Sequence, residues 1–383
     1  MRSGGGRGGL LVNRERLLAS FLDLLRINSP SRQEGDVAVF ARRALEEMGF
    51  QVCQDDAGQA VGGQTGNIVA TLPGASDDAP RILLCAHMDT VQPTDGIRII
   101  REDGIIRQEG AAVLGADDKA GIAAILEGVR SALESGGRLG QIQVLLLICE
   151  EIGLLGSKHL DMSLVDSDFG YVFDSGRPVG HLVSEAPSHD NIAVQITGKA
   201  AHAGVCPEEG ASAIRAAALA ISRMPLGRID HETTANVGVI SGGTARNIVP
   251  EKCEVKAEAR SRDESKLQRQ VALMRQAFED AARETGCTAQ IEISRQYLGY
   301  KHSREAPLVQ LALRAAADIG MTMDLLPHGG GSDCNILNEK GLPSAVVGVG
   351  YDRIHTPEES ITEDELVRCA ELVRALALAA GDA

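Results

Sequence analysis

The sequence predicts an α/β protein with a mixed sheet flanked by helices and with an inserted, smaller α+β domain. Short apolar runs such as 81–86 alternate with amphipathic helical segments, which is typical of a sheet buried on both faces. Between 191 and 294 the predicted order becomes strand, helix, strand, strand, helix, strand, the order of a ferredoxin-like module. After about residue 300 the first pattern returns, so the first domain is split by the second.

Composition excludes several classes of protein. The 383 residues are 44% hydrophobic and 24% charged, which is ordinary for a globular protein, and the length is enough for two domains. A formal net charge of −15 argues against nucleic acid or an anionic membrane as a partner. No apolar run reaches the length of a membrane span, so we expect no membrane association.

The cysteines and the first residues bear on location. Eight cysteines are scattered along the chain without a CxxC pair, which predicts reduced thiols in a cytoplasmic protein. Residues 1–13 are basic and glycine-rich but have no apolar core to follow, so we expect a flexible leader rather than a signal peptide.

The first part of the chain alternates helices and strands. Gly49 is expected to stop the second helix, and Asp103–Gly104 is the expected turn of an exposed hairpin. The predicted elements are helices over 15–27, 36–48 and 122–133, strands over 50–53, 67–72, 81–86 and 171–174, and the hairpin over 97–107.

The inserted part and the last part are interpreted in the same way. The inserted part predicts strands over 191–197, 236–241, 252–260 and 288–294 and helices over 211–224 and 264–285. The last part predicts helices over 307–319 and 362–379 on either side of a buried strand over 344–349. We therefore place the split domain at 1–186 and 301–383, and the insertion at 187–300.

One apolar run, over 145–149, leads directly into two adjacent acids, Glu150 and Glu151. Such a run predicts a strand buried on both faces, and open α/β sheets bind ligands beyond the carboxyl ends of their strands. Because adjacent strand residues point to opposite sides, one acid can bind a metal while the other handles a proton. The alternative for an isolated pair of acids is an ordinary junction between a strand and a loop.

Polar side chains follow several apolar runs of the split domain. Because parallel strands end at the same edge of a sheet, we expect these side chains to converge. Imidazoles and carboxylates together can hold two divalent ions of the zinc kind, whereas without metal so many buried acids would repel one another. The set is His87, Asp89, Asp117, Glu150, Glu151, Asp174 and His355.

Five motifs in order resemble the co-catalytic two-zinc peptidases, a family that includes peptidase T, glutamate carboxypeptidase, succinyl-diaminopimelate desuccinylase and the aminoacylases. The resemblance covers nearly the whole chain and implies a zinc-exopeptidase-like catalytic domain with a ferredoxin-like lid domain, also used for dimerisation. The segment GADDKAGI over 115–122 and the use of aspartate at position 174 are most similar to peptidase T-like proteins. The motifs are His87-x-Asp89-Thr-Val, Gly115-Ala-Asp117-Asp118-Lys119-x-Gly121, Glu150-Glu151-x-Gly153, Asp174 and His355.

The resemblance implies a set of metal ligands. His87 and Asp174 would hold one ion, Glu151 and His355 would hold the other, and Asp117 would bridge the two. The ions would be zinc, with cobalt or manganese as alternatives. A lone histidine at the end of a strand is more often a structural hydrogen-bond partner, but five motifs in order favour metal binding.

Other positions receive roles outside the ligand set. Asp89 would accept the second ring proton of His87 and so fix its tautomer. Glu150 would be the general base that takes a proton from the attacking water. The resemblance also implies a cis peptide bond after Asp117, and we expect Asp118 and Lys119 to be structural.

Three segments are expected to contact the substrate. His202 lies in a loop that resembles the family's carbonyl-polarising histidine loop, often contributed by the other subunit, and Arg246 and Asn247 lie in a segment that resembles the one holding the substrate terminus. The glycine-rich loop with Gly330 and Ser332 offers small residues and free backbone N–H groups, suited to a substrate carboxylate. The alternatives are a surface histidine, a Gly-Gly turn with an exposed arginine, and a tight turn.

The resemblance implies a cytoplasmic, homodimeric exopeptidase that hydrolyses a terminal peptide bond of small peptides with water activated by two zinc ions. Another amidohydrolase of the same family is the alternative: an aminoacylase acting on N-acyl amino acids, a dipeptidase or a carboxypeptidase. A non-catalytic metal-binding protein is a more remote alternative, against which the presence of Glu150 argues. Peptidase T proper is an aminopeptidase, but no acid that receives a substrate ammonium group is evident, so the direction of cleavage stays open.

Overall fold

The structure, a computed structural model, describes residues 12–76 and 78–382. Residues 1–11 of the leader expected over 1–13 therefore lie outside the described residues. The chain divides into two compact units. The first comprises Met1–Ser184, His302–Pro327 and Ser332–Ala383, and the second comprises Glu185–Lys301 and His328–Gly331.

The helices are numbered here in chain order. Several begin with a polar residue whose side chain accepts a backbone N–H of the first turn, as Asn13, Ser212, Asp263 and Thr362 do. They are α1 (Arg14–Arg26), α2 (Gly35–Glu47), α3 (Ala57–Val61), α4 (Ala116–Glu134), α5 (Leu155–His159), α6 (Ala213–Arg223), α7 (Glu264–Thr285), α8 (Pro307–Asp318), α9 (Asp333–Glu339) and α10 (Glu363–Gly381).

The strands are numbered in the same way. Those of the first part of the chain are β1 (Gln51–Gln54), β2 (Ile68–Leu72), β3 (Ile82–His87), β4 (Arg98–Glu102), β5 (Ile105–Glu109), β6 (Ile142–Leu147), β7 (Phe169–Val172), β8 (His181–Ala186) and β9 (Ser188–Thr197). The others are β10 (Gly227–Arg228), β11 (Thr233–Gly242), β12 (Lys252–Ser261), β13 (Thr288–Tyr297), β14 (Tyr300–Lys301), β15 (Asp324–Pro327), β16 (Ser344–Val347), β17 (Tyr351–Asp352) and β18 (Ser360–Thr362).

The sheet of the first unit is mixed, as predicted. Its strands follow the order β1-β2-β6-β3-β7-β16-β8, in which β6, β3, β7 and β16 are parallel neighbours and the outer strands run antiparallel. These four parallel strands are buried along their whole length, which explains their continuous apolar sequences. Helix α4 packs on β3, and α1 and α10 pack on α4.

The register of the parallel strands brings their carboxyl ends together. His87 at the end of β3 lies opposite Leu147 at the end of β6, and Cys85 lies opposite Val172 at the end of β7. The residues that follow these strands therefore start from the same edge of the sheet.

A smaller antiparallel sheet in the same unit carries the predicted hairpin. Strands β4 and β5 pair across a turn in which Asp103 and Gly104 both have positive φ, as a two-residue hairpin turn requires. Strand β5 pairs with β18, and β18 pairs with β17. The loop between β17 and β18 contains His355.

The second unit has the ferredoxin-like order that the sequence predicts. Strands β9, β11, β12 and β13 form an antiparallel sheet in the order β11-β12-β9-β13, and β10 pairs with one end of β11. Helices α6 and α7 cover one face, where alternate residues of β9, such as Ile192, Val194 and Ile196, are buried. This unit has a hydrophobic core of its own.

The pattern analysis missed several short elements, among them α3, α5, α9, β8 and β15. Helices of five to seven residues are too short to show a helical period. No helix among the described residues is both long and apolar enough to cross a membrane.

Candidate metal centre

Three of the predicted site residues lie in positions that differ from the prediction. Asp117 does not follow a strand: it lies at the start of α4, at a kink where Asp117 and Asp118 have non-helical backbone angles, and the cis peptide bond that the resemblance implies joins the two. Glu150 and Glu151 lie beyond the end of β6, in a turn where Cys149 has a φ of 53°. The directions of these two side chains are therefore set by the turn and not by the alternation of side chains along a strand.

Asp117 lies between two imidazole rings. Its Oδ1 is 3.2 Å from His87 Nε2, and its Oδ2 is 3.4 Å from His355 Nε2. His355 Nε2 is also 3.1 Å from Glu151 Oε1, and His87 Nε2 is 3.9 Å from Asp174 Oδ1. The five residues expected to be ligands thus form one continuous chain of nitrogen and oxygen atoms.

Three groups of side chains around this centre could each hold a metal ion, since the ligand atoms of each group lie within 4.8 Å of one another. Imidazole nitrogen and carboxylate oxygen are ligands that suit zinc and other divalent ions. The donor set therefore fits the predicted dinuclear centre. The groups are His87 with Asp118 and Asp174, His87 with Glu150 and Glu151, and Asp117 with Glu151 and His355.

A fourth group lies in the second unit and is less suited to a cation. It consists of Asp230, His231 and Glu232. The Lys266 ammonium group already pairs with both acids, at 3.0 Å from Asp230 Oδ2 and 2.6 Å from Glu232 Oε1. A positive charge therefore occupies the position that an ion would take.

Two half-buried acids of the centre, Glu150 and Asp174, resist ionisation. Burial raises the pKa of Glu150 well above its usual value, and the nearby Asp174 carboxylate raises it further. Burial also raises the pKa of Asp174 to about 7, although His87 partly offsets the effect. These shifts indicate a site in which added positive charge would stabilise the carboxylates.

The pKa values of the two imidazoles are also raised, but for a histidine this favours the charged form. Hydrogen bonds with Asp117 and Glu151 raise the pKa of His355 to about 10. Burial lowers the pKa of His87, but hydrogen bonds with Asp117 and Asp89 outweigh it and raise that pKa well above the usual value. The same hydrogen bonds from both rings outweigh burial and lower the pKa of Asp117.

The Asp89 carboxylate accepts three hydrogen bonds. The donors are the hydroxyl of Ser31 at 2.6 Å and the backbone N–H groups of Glu150 and Glu151 at 3.0 and 3.2 Å. His87 Nδ1 lies 3.4 Å from the Asp89 carboxylate and 3.0 Å from the Asp89 backbone oxygen. The nearer acceptor for the second ring proton is thus the carbonyl, and the carboxylate also fixes the turn that bears both glutamates.

Asp118 and Lys119 are both buried. The Asp118 Oδ2 atom accepts the backbone N–H of His87 at 3.2 Å, and burial raises the pKa of Asp118. Lys119 Nζ donates to the Ile27 backbone oxygen at 2.6 Å, and burial lowers the pKa of Lys119 to about 7. The contact of Lys119 fits a structural role, whereas Asp118 also belongs to one of the candidate ligand groups.

The sequence analysis missed further polar residues around the centre. Tyr351 donates its hydroxyl to Asp174 Oδ1 at 3.0 Å, and Ser157 donates to Asp333 Oδ1 at 2.5 Å. Burial raises the pKa of Asp333 to about 7. Asp333 directly follows the glycine-rich loop, so its position beside a singled-out motif was the available signal.

Two buried glutamates accept hydrogen bonds from the backbone near the candidate ligands. Glu34 Oε1 accepts the N–H of Cys149 at 3.0 Å, just before the Glu150–Glu151 pair. Glu359 accepts two N–H groups at the start of α4, and burial raises the pKa of Glu359 to about 7 despite these donors. Neither has a sequence pattern of its own, although Glu359 lies four residues after His355.

Two of the segments expected to contact the substrate lie side by side in the second unit. His202 and Ile248 form an isolated β-bridge, and the Ala203 N–H donates to the Asn247 backbone oxygen at 3.0 Å. The side chains of His202, Arg246 and Asn247 are exposed. The loop histidine and the Arg246–Asn247 segment therefore form a single surface.

The glycine-rich loop differs from the prediction of free backbone N–H groups. The Gly330 N–H donates to His328 Nδ1 at 3.0 Å, and the Ser332 N–H donates to Asn335 Oδ1 at 3.2 Å. The Ser332 hydroxyl caps α9. Both N–H groups are thus used within the chain, and the prediction of free donors was wrong at these two positions.

The sequence analysis also missed Arg260, which lies on the face of the second unit's sheet that α6 and α7 do not cover. Arg260 Nη1 donates to the Tyr297 hydroxyl at 3.3 Å, and the His189 ring packs edge-on against the Tyr297 ring at 5.2 Å. A Cβ on Gly331 would come within 2.2 Å of that tyrosine ring, which explains the glycine there. In a strand that alternates polar and apolar residues, one arginine gives no distinct signal.

The chain belongs to Peptidase family M20/M25/M40, whose model matches residues 83–379. It is a hydrolase of the metallopeptidase class and a metal-dependent exopeptidase that resembles peptidase T.

Solved structures share this fold over nearly the whole chain. An aminopeptidase PepT from Bacillus cereus ATCC 10987 is 41% identical with a TM-score of 0.91, covering 96% of this chain and 99% of its own. A tripeptidase from Staphylococcus aureus subsp. aureus mu50 is 38% identical with a TM-score of 0.94, covering 98% and 100%. A comparison of sequences alone finds Peptidase T of Lysinibacillus sphaericus (strain C3-41), which is 26% identical over 346 residues, 81% of this chain and 84% of its own.

Proposed function

We propose that the protein is an aminopeptidase that holds two zinc ions and releases the N-terminal residue of short peptides, tripeptides first among them. The observation that carries the proposal is Asp117, whose two oxygens face His87 Nε2 and His355 Nε2 at 3.2 and 3.4 Å. A carboxylate between two imidazoles is suited to bridge a pair of divalent cations. The resemblance over nearly the full chain to a solved aminopeptidase and a solved tripeptidase supports the substrate class.

The ligand assignment follows the contacts. His87 and Asp174 would hold one ion and Glu151 and His355 the other, with Asp117 shared. When bound, two such ions would polarise the scissile carbonyl and make water acidic enough to be deprotonated near neutral pH. Cobalt and manganese are the alternatives, because the same nitrogen and oxygen donors also suit them.

Glu150 would act as the general base. Its carboxylate belongs to the group with His87 and Glu151, and its backbone is held by Asp89, so the side chain starts from a fixed point beside the ligands. It would take a proton from the attacking water while the new C–O bond forms at the carbonyl carbon. It would then give that proton to the leaving amine as the C–N bond breaks.

The second unit would supply the substrate contacts. His202 would donate to the scissile carbonyl oxygen, and Arg246 and Asn247 would bind the substrate terminus, since the three form one exposed surface. Gly330 and Ser332 would line the site by their small size, because their N–H groups are already bonded. We propose that 187–300 is a lid domain and that 1–186 and 301–383 form the catalytic domain.

We also propose a cytoplasmic homodimer joined through the second unit. The outer edge of β11 beyond Ala235 has no strand partner among the described residues, and its Val239 and Ile240 side chains are 49% and 51% exposed. An apolar edge strand of this kind can pair with a second copy of itself. The scattered cysteines, all free thiols, support a cytoplasmic location.

A substrate panel tests the proposal against its rival. Zinc-loaded protein should cleave tripeptides with a free N-terminus, and blocking that terminus with an acetyl group should abolish cleavage. Glu150→Gln protein, purified in parallel, controls for contaminating peptidases. Cleavage of N-acetyl amino acids without cleavage of tripeptides would favour the aminoacylase alternative and contradict the proposal.

A further inference from the structure

A buried glutamate binds the backbone of the kinked segment that bears the central acid of the metal centre, just before the regular part of α4. Glu359, only 1% exposed, accepts the Gly115 N–H at 2.8 Å through Oε2 and the Asp117 N–H at 2.9 Å through Oε1. The backbone of Asp117 and Asp118 is non-helical, and buried N–H groups in such a segment need acceptors from outside a helix. Here a side chain more than 200 positions further along the chain supplies both acceptors.

The local sequence supplies no substitute for this glutamate. Gly115, the residue before the helix, has no side chain and a φ of 76°, so it cannot accept an N–H as serine or aspartate would. A carboxylate that accepts two backbone N–H groups makes charge-assisted hydrogen bonds, which are stronger than those between neutral groups. Glu359 therefore holds the backbone of Asp117 at a fixed point.

The same glutamate lies close in sequence to a second ligand. His355 is four residues upstream in the loop before β18, and its side chain is 47% exposed. The loop is closed on itself by the Glu359 N–H, which donates to the Thr356 oxygen at 3.2 Å. One residue thus ties the loop of His355 to the helix of Asp117.

We propose that Glu359 is a positioning residue of the metal centre, which sets the Asp117 carboxylate at the distance from His355 that two ions require. The inference rests on the proposed dinuclear centre and adds to it a residue outside the ligand set. Residues that orient metal ligands without touching the ion typically change metal affinity by about 10–100-fold when they are replaced.

The first test is a zinc titration of Glu359→Gln protein in competition with a chromophoric chelator. Glutamine keeps one acceptor oxygen but presents an amide NH₂ group toward a backbone N–H, so one of the two hydrogen bonds is lost. Affinity for at least one zinc ion should fall by about 10–100-fold relative to wild type. In cobalt-loaded protein the visible absorption bands should shift, because the ligand geometry changes.

Glu127→Gln is the matched control. Glu127 is 3% exposed and accepts the Asn13 N–H at 2.9 Å across 114 positions, so it too is a buried carboxylate that holds distant backbone. This variant should bind both zinc ions like wild type. Unchanged zinc affinities and cobalt spectra in Glu359→Gln would overturn the inference.

A second measurement needs no variant and decides the matter if Glu359→Gln does not fold. In the metal-free, full-length wild type, the Gly115 and Asp117 amides should exchange with solvent as slowly as amides within β3, because Glu359 holds them before metal binds. Rapid exchange of both amides would overturn the inference. A wild type that binds no zinc would instead refute the proposed centre, while the exchange rates would still report on Glu359.

Discussion

Carboxyl groups of the same chemical type take different tasks around His87 because each one meets different neighbours. Asp89 is saturated by donors from Ser31, Glu150 and Glu151, so it serves as an anchor. The Glu150 side chain is governed by burial and by the charge of Asp174, which leaves it available to exchange a proton. Environment, rather than residue type, therefore distinguishes the anchor from the proposed base.

The roles of Glu150 and Glu151 can be separated by mutation. Glu150→Gln should lower kcat by at least about 10²–10⁴-fold, the usual contribution of a general base, and should retain two zinc ions per chain. Glu151→Gln should lose zinc together with activity. Metal content measured beside kcat checks both statements, and zinc loss in Glu150→Gln would show that the two roles are reversed.

Zinc binding to the metal-free protein should release protons. The pKa of His355 is raised to about 10 by Asp117 and Glu151, so its ring carries a proton at pH 7 that a metal must displace. Asp174, with a pKa raised to about 7, adds a fraction of a proton. Zinc affinity should therefore increase from pH 6 to pH 8.

Calorimetric titrations in buffers of different ionisation enthalpy measure the number of protons released. His355→Ala should release fewer protons and bind zinc more weakly. Zinc binding without proton release, or with an affinity independent of pH, would contradict the ligand assignment.

At the scale of elements, the sequence is most informative where burial is complete. The apolar runs of β3 and β6 predict the carboxyl ends of these two strands to within two residues, because a parallel sheet covered on both faces needs such runs. The predicted start of α4, Ile122, lies a few residues inside its regular part, because the backbone of Asp117 and Asp118 is non-helical and residues 116–121 carry no apolar period. The kinked segment that precedes the regular helix is held by the distant Glu359, which no local pattern can reveal.

The sequence predicted the contacts between site residues more accurately than it predicted the elements that carry these residues. Asp117 was expected after a strand and lies on a helix, yet it still faces His87 and His355. The motif resemblance supplied the proposed ligands, whereas residues that contact them or their backbone, such as Tyr351 and Glu34, depend on tertiary contacts.

Helix α4 crosses α10 closely at a glycine, which gives a stability prediction. A Cβ on Gly128 would lie 2.5 Å from Val373 Cβ and 2.7 Å from the Ala370 oxygen. Alanine favours a helix by about 1 kcal/mol over glycine, but overpacking a tight core costs about 1–3 kcal/mol. Gly128→Ala should therefore lower the free energy of unfolding despite its better helix propensity.

Gly35→Ala in α2 is the control, because its new Cβ would meet only the Gln64 side chain, whose movable Oε1 is nearest at 3.1 Å and whose Cβ lies at 3.5 Å. This variant should be as stable as wild type or slightly more stable. Urea unfolding of both proteins checks the pair, and a Gly128→Ala protein of unchanged stability would show that α4 and α10 can separate to accept the methyl group.

For the whole molecule, the first prediction concerns assembly. Ile240→Lys places a charge on the apolar edge of β11 and should convert the proposed dimer to a monomer, as light scattering after gel filtration would detect. Val39→Lys is the control, since Val39 is 66% exposed and belongs to α2 of the first unit, not to β11. A wild type that is already monomeric, or a dimeric Ile240→Lys, would refute assembly through β11.

The second prediction concerns His202. If it polarises the scissile carbonyl, His202→Ala should lower kcat by about 10²–10³-fold and change KM little. If the partner copy supplies it, mixing inactive Glu150→Ala with inactive His202→Ala should restore activity, because one site of the mixed dimer regains both residues. Absence of rescue at every mixing ratio would place the action of His202 within its own chain.

The pairing of β16 with β7 has a consequence for how the protein is made. Ser344 lies beside Gly170, so neighbouring strands of the buried sheet are separated by the entire second unit in the order of synthesis. The ribosome releases the second unit, with its own core, before β16 exists. Until then β7 is an apolar edge without its outer neighbour, the kind of surface that aggregates unless a chaperone covers it. The nascent chain is therefore most exposed to misassembly while the ribosome is translating the segment between β7 and β16.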